Sequence, residues 1–307
     1  MNKLAFIYPG QGAQKVGMGK DFYDNSACAK EIFTKADDIL DIEVTKTCFE
    51  ENDKLDSTAY TQPCLVTTCL AITKELNERG IYPDVTAGLS LGEYAAIAAA
   101  GAISYKDAIK CVRKRGIYME EAVPSGKGAM AAVLGMETED IENVIAPIDG
   151  VTIANYNCPG QIVITGKKAA VEEGMEKLKE AGAKRCLMLN VSGPFHSPFL
   201  KEAGQKLGNV LDNIEITSLK VPYVANVNAS YVEDCTQIKD LLINQVYSSV
   251  RWQQSVEKMI DNGVDTFVEI GPGKTLAGFI KKINKEVTVL NISNMEDIGE
   301  LLCYMEK

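Results

Sequence analysis

The chain has 307 residues, 46% of them hydrophobic and 24% charged, enough apolar material for one large domain or two modest ones. Its 32 Lys+Arg against 42 Asp+Glu leave a net charge of -10, which argues against a general binder of nucleic acid or of an anionic membrane, and no run nears the roughly 18 apolar residues of a membrane span. Nine Cys without a C-x-x-C pair and a single His make a Cys/His zinc site untenable, so no metal centre is expected. The opening MNKLAFIYPGQG lacks a signal-peptide core, so the expectation is a cytoplasmic protein with reduced thiols.

Strand-like and helical runs alternate, the pattern of an α/β fold. LAFIYPG reads as a short buried strand. Residues 61–80 read as a helix with Pro63 in its first turn and Gly80 at its stop. A short strand over 84–88 leads into an Ala-rich helix over 91–100 closed by Gly101, and a further helix begins at Ser104, where Ser104 and Asp107 form a capping box. From Ser125 to Ser192 the rhythm changes: GAMAAVLGM, a helix over 138–147, VTIANYN, QIVITGKK, a helix over 168–182 and AKRCLMLNVS give β-α-β-β-α-β. That order is the ferredoxin-like split unit, read here as a subdomain over 125–192 inserted in a larger α/β domain of residues 1–124 and 193–307. Residues 264–270 then read as a strand, Gly271-Pro272-Gly273 as a turn and 275–283 as a helix.

Gly88-Leu89-Ser90-Leu91-Gly92 is a Gly-x-Ser-x-Gly between a predicted strand and a predicted helix. Such a turn strains the serine backbone and lifts its hydroxyl to a helix N-terminus, where free N–H groups favour negative charge. A plain glycine-rich turn whose serine only caps the helix is the alternative. Serine needs a base that is neutral at working pH, and His196, in the proline-flanked GPFHSP, is the only imidazole. No Asp or Glu nominates itself as a third triad member, and a backbone carbonyl could fix the same tautomer.

On the helix from Ser104, Ala108, Val112, Arg115, Met119 and Ala122 share one face, whereas Arg113 and Lys114 fall off it toward solvent. A guanidinium on an apolar stripe needs an anion, either an internal partner or the carboxylate of a substrate. Gly10-Gln11-Gly12 and Gly273-Lys274-Thr275 miss the nucleotide-binding patterns, but their turns free backbone amides. The Gln11 amide could donate to a developing oxyanion, with the Leu91 amide as the expected second donor. These residues alone also leave room for a serine esterase or thioesterase, and for a non-catalytic acyl-binding protein.

PGQGAQ, GLSLGEYAA, RGIYMEEAVPSGKGAMAAV, NYNCPGQIVITG, GPFHSP and EIGPGKTLAGF occur in order along nearly the whole chain. Together they closely resemble the malonyl-CoA:acyl carrier protein transacylase family of fatty-acid synthesis. The resemblance implies a hydrolase-like α/β core with a parallel sheet, a ferredoxin-like insert and an active site between them. It implies Ser90 as acyl-carrying nucleophile, His196 as general base, Arg115 as partner of the malonyl carboxylate, and Gln11 and Leu91 as backbone oxyanion donors. Gln245 would orient the imidazole through its main-chain carbonyl. The partners implied are malonyl-CoA, as a substrate, and acyl carrier protein, with no cofactor. Lys167, Lys168, Lys281, Lys282 and Lys285 are candidate docking cations for an acidic carrier. Two residues depart from the family pattern: Leu89 where His is frequent, and Ser249 where proline is common.

Overall fold

The computed structural model describes residues 3–124, 126–191 and 193–306. Ser125 and Ser192, the expected limits of the insert, lie outside the described residues.

Among the described residues ten strands form two sheets. The larger is built from β1 (Lys3–Tyr8), β2 (Val85–Gly88), β7 (Tyr223–Val224), β8 (Tyr231–Val232), β9 (Val264–Ile270) and β10 (Thr288–Ile292), in the order β10-β9-β1-β2-β7-β8. Every pairing is parallel except β7 with β8. β1 is central and buried on both faces, which is why LAFIY is continuously apolar rather than alternating. One face packs against the long helix Thr58–Glu78 and its neighbours, the other against Trp252, Val256 and Phe279.

The smaller sheet contains β3 (Gly128–Leu134), β4 (Val151–Cys158), β5 (Gln161–Lys167) and β6 (Arg185–Met188), wholly antiparallel in the order β4-β5-β3-β6. Helices Thr138–Ile145 and Lys168–Glu180 cover one face and close a separate core around Ile141, Ile164 and Val171. β4 of the smaller sheet is tied to residues 249–250 of the larger unit. Val250 N donates to Ala154 O (2.8 Å), Tyr156 N to Val250 O (2.9 Å) and the Ser249 hydroxyl to Ile153 O (2.7 Å). Ser249, where the resemblance leads one to expect proline, thus supplies a bond for which proline has no donor.

Three expectations need correction. The long helix begins at Thr58, so Pro63 lies inside it rather than in its first turn. Its start is capped from a distant helix: Glu120 accepts the Ala59 amide at 3.0 Å and the Ser57 hydroxyl at 3.1 Å, a tertiary cap invisible to local sequence. Pro63 cannot bond the Ala59 carbonyl, and Arg113 Nη1 donates to it instead at 2.8 Å. Arg113 is therefore buried, not solvated, and Asp41 takes both its Nε and Nη2 at 2.9 Å. The pairing holds the Asp41 carboxyl down at about 2. At Ser104 only half of the expected capping box forms. The hydroxyl accepts the Asp107 amide (3.0 Å), but the short Asp107 carboxylate meets that hydroxyl (2.6 Å).

Among the described residues no helix is long and apolar enough to cross a membrane, and no cluster of His, Cys, Asp or Glu could hold a metal ion.

Candidate active site

The turn from β2 into the elbow helix Gly92–Ala99 is possible only with glycine on either side of it. A Cβ on Gly88 would stand 2.0 Å from the carbonyl carbon of Gly92, and one on Gly92 would stand 2.1 Å from Tyr8 O. Ser90 between them has φ 51°, in the left-handed region that non-glycine residues rarely occupy. The strain is held by Asn226, whose side chain accepts the Ser90 amide (2.7 Å) and donates to Gly88 O (2.7 Å).

His196 arrives from the proline-stiffened loop, itself at φ 59°, and places Nε2 2.6 Å from the Ser90 hydroxyl oxygen. Its Nδ1 lies 2.9 Å from the carbonyl of Gln245, the last residue of helix Ile238–Gln245. A carbonyl can only accept, so the proton sits on Nδ1 and the Nε2 lone pair faces the serine hydroxyl. Burial, reinforced by the charge of Arg115, lowers the imidazole to about 4, while the Gln245 and Ser248 backbone pulls it up. His196 is thus a neutral base at pH 7. A helix C-terminus is the negative end of the helix dipole and favours the imidazolium that forms when the base takes a proton.

Arg115 lies on the buried face of helix Tyr105–Glu121, as its spacing predicts, and is 1% exposed. Its Nη2 donates to Ser90 Oγ (3.2 Å) and to Gln245 Oε1 (2.9 Å), its guanidinium carbon sits 5.3 Å from the centre of the Tyr94 ring, and its Nε has no partner among the described residues. Ser90, His196, Arg115 and Gln245, spread over 155 positions, therefore form one connected set. The loop with Gln11 packs on the elbow, a Cβ on Gly10 standing 2.7 Å from Leu89 O, and the Gln11 side chain is anchored to the Thr58 hydroxyl (3.0 Å). The Leu91 amide opens the elbow helix beside Ser90.

A cavity of about 200 Å³ opens over the serine. Gly10, Gln11, Leu89 and His196 form one wall, and Met130, Asn155 and Asn157 of the smaller sheet, with Leu189 just after β6, the other. Register shifts in β4 at 153–155 and 156–158 turn both asparagines into it. Thr275 and Phe279 of helix Thr275–Ile283 also line it, with Val163, Val191 and Phe195. Of the candidate docking lysines, all five are exposed; Lys167 pairs with Asp149 at 3.3 Å and Lys282 reaches Gln161 at 3.3 Å.

Sequence reasoning overlooked Glu93, Asn226, Asn155, Asn157 and the side chain of Gln245. Glu93 carried a signal: it is the one charge on the apolar helix GEYAAIAA and is wholly buried. Burial pushes its carboxyl up to about 8, against pulls from Gln245, Asn226 and Arg115. The asparagines depend on bulges and long-range turns that no local pattern marks.

The fold and this site define an acyl-transferring enzyme, and the chain belongs to the acyl transferase domain family, whose pattern it matches over residues 5–302. It is 48% identical over 303 residues to the malonyl CoA-acyl carrier protein transacylase of Bacillus subtilis (strain 168), covering 97% of this chain and 96% of the relative. The Staphylococcus aureus (strain MRSA252) protein of that name is 46% identical, with 97% and 98% covered. Among solved structures, malonyl CoA-acyl carrier protein transacylase from Clostridium perfringens superposes with a TM-score of 0.95 at 44% identity, covering 99% and 97%. A malonyl-transacylase in complex with its type II PKS acyl-carrier protein superposes with a TM-score of 0.95 at 36% identity, covering 98% and 99%.

Proposed function

We propose that this protein transfers the malonyl group from malonyl-CoA to the phosphopantetheine thiol of acyl carrier protein, through a malonyl ester on Ser90, and so supplies fatty-acid elongation. The observation that carries the reading is the convergence on one hydroxyl: Ser90 Oγ lies 2.6 Å from a neutral imidazole nitrogen and 3.2 Å from a buried guanidinium.

His196 takes the Ser90 proton as Oγ attacks the thioester carbonyl, and the oxyanion rests on the amides of Gln11 and Leu91. Collapse breaks the carbon–sulfur bond, and CoA leaves as the thiol with the proton held by His196. The carrier thiol then gives its proton to His196 and attacks the ester, and the proton returns to Ser90 Oγ. The reaction exchanges a thioester for an ester and back, so nothing is oxidised and no cofactor is required. Arg115 receives the malonyl carboxylate. The unpartnered Nε supports this role, because a carboxylate there would satisfy a buried donor.

The four-strand antiparallel unit is the ferredoxin-like subdomain over 125–192, inserted in a hydrolase-like core of 1–124 and 193–307, with the acyl cavity between them. The acidic carrier docks on cations at the edge of this cavity, among them Lys167 and Lys168 on one side and Lys281, Lys282 and Lys285 on the other. The reaction takes place in the cytoplasm.

The test separates transfer from hydrolysis. With malonyl-CoA alone, CoA release should stop near one equivalent per chain, and turnover should begin only on adding acyl carrier protein. Malonate freed at turnover rates without the carrier would mark an esterase or thioesterase instead.

A further inference from the structure

Two arginines of one helix, two residues apart, are buried in opposite ways. Arg113 is clamped directly by Asp41, with both carboxylate oxygens at 2.9 Å. Arg115 touches no carboxylate among the described residues: its Nη2 meets the side-chain oxygen of Gln245 at 2.9 Å. The Gln245 nitrogen donates in turn to Glu93 Oε2 at 2.8 Å and to Ser90 O at 2.7 Å. Glu93 Oε2 also accepts the Asn226 amide at 3.3 Å, and its Oε1 has no partner among the described residues.

The orientation of the Gln245 amide follows from these neighbours. Turned round, it would set its NH2 against a guanidinium and its carbonyl against two oxygens. We propose that Glu93 is a positioning residue which, through the side-chain amide of Gln245, holds the Arg115 guanidinium beneath Ser90 in the orientation that receives the acid group of the acyl donor. This rests on the reading of Arg115 as the carboxylate's partner.

The interposed amide explains how a buried guanidinium can be held without being used up. A direct bidentate pair, as at Arg113, occupies the donors and cancels the charge that an incoming carboxylate needs. An amide fixes one Nη2 hydrogen and leaves Nε and the positive charge to the substrate. A wholly buried carboxyl with one idle oxygen is costly to keep for packing alone.

The readout is the ratio of kcat/KM for malonyl-CoA to that for acetyl-CoA, since only malonyl carries the acid group. Glu93→Met removes the acceptor at similar volume and should lower the ratio about tenfold, chiefly through KM for malonyl-CoA. Glu93→Gln can still offer an oxygen to the Gln245 nitrogen and should stay within about threefold of the parent. Gln245→Met spares the main-chain carbonyl that holds His196, and should lower the ratio at least as much as Glu93→Met. In the double variant the two losses should not add. An unchanged ratio in Glu93→Met, or in Gln245→Met should the first variant not fold, overturns the proposal. Arg115→Ala is measured alongside. If it shifts the ratio and Glu93→Met does not, only the relay fails; if it leaves the ratio unchanged, the carboxylate reading fails and the relay with it.

Discussion

At Ser90 the hydroxyl is met from one side by a base and from the other by a cation, and the two have separable effects. In the proposed reaction His196 supplies the lone pair that takes the proton, and burial, reinforced by the charge of Arg115, keeps the imidazole from taking one prematurely from water. Arg115→Ala should therefore reduce kcat/KM for malonyl-CoA by roughly ten- to a hundredfold more than for acetyl-CoA, the range expected for a charged hydrogen-bonded pair. Equal losses for both thioesters would contradict the assignment. The buried imidazole also sets an acid limit on stability. A base lowered from 6.5 to about 4 on folding contributes fully above pH 6.5 and loses roughly 3 kcal/mol as pH falls through that window. Glu93 has the opposite sign. Its carboxyl rises from 4.5 to about 8, so its contribution is full below pH 4.5 and is lost as pH climbs toward 8. Denaturant titrations of Glu93→Gln should show it faring better relative to the parent at pH 9 than at pH 5. A difference independent of pH would contradict the placement of that carboxyl.

Elements hold these side chains only where the backbone can approach itself closely. The β2–elbow turn is among the tightest places in the fold, and Gly88→Ala, with its new carbon 2.0 Å from the Gly92 carbonyl carbon, should destabilise by roughly 3 kcal/mol or more in chemical denaturation. Gly278→Ala is the control: it lies in helix Thr275–Ile283 with nothing within 4 Å, and should stabilise by about 0.5–1 kcal/mol. What was legible beforehand follows the same division. Helix Thr275–Ile283, strand Val264–Ile270 and the β-α-β-β-α-β order are written in period and turn residues, and the structure matches them closely. The motif at Ser90 and the odd charge at Arg115 are local patterns too, and both lead to one place. Local sequence places the start of the long helix too late because its cap is Glu120, 61 positions from the amide it takes. Helical spacing assigns Arg113 to solvent because the carbonyl it serves is freed by Pro63 on a different helix. Such errors share a cause: the partner is distant in the chain, so periodicity has nothing to register.

The molecule as a whole places its chemistry in a seam. One wall of the cavity belongs to the loops at the ends of β1 and β2, the other to the antiparallel sheet, and the Ser249–Val250 segment ties β4 to the chain that leaves Gln245. Ser249→Ala removes one bond across this tie and should cost about 1 kcal/mol of stability, with a wider loss in kcat than in KM if the seam helps hold His196. Charge reversal at Lys281 and Lys282 should raise KM for the carrier several-fold and leave acylation by malonyl-CoA unchanged; an unchanged KM for the carrier would remove those cations from the docking face. The expectation for the carrier depends on a covalent intermediate at one hydroxyl. Intact-protein mass measurement after brief exposure to malonyl-CoA, followed by acyl carrier protein, tests that directly. The native chain should gain a single malonyl group and lose it to the carrier, and Ser90→Ala should gain none. An unmodified native chain, or a Ser90→Ala chain that is modified equally, would contradict it.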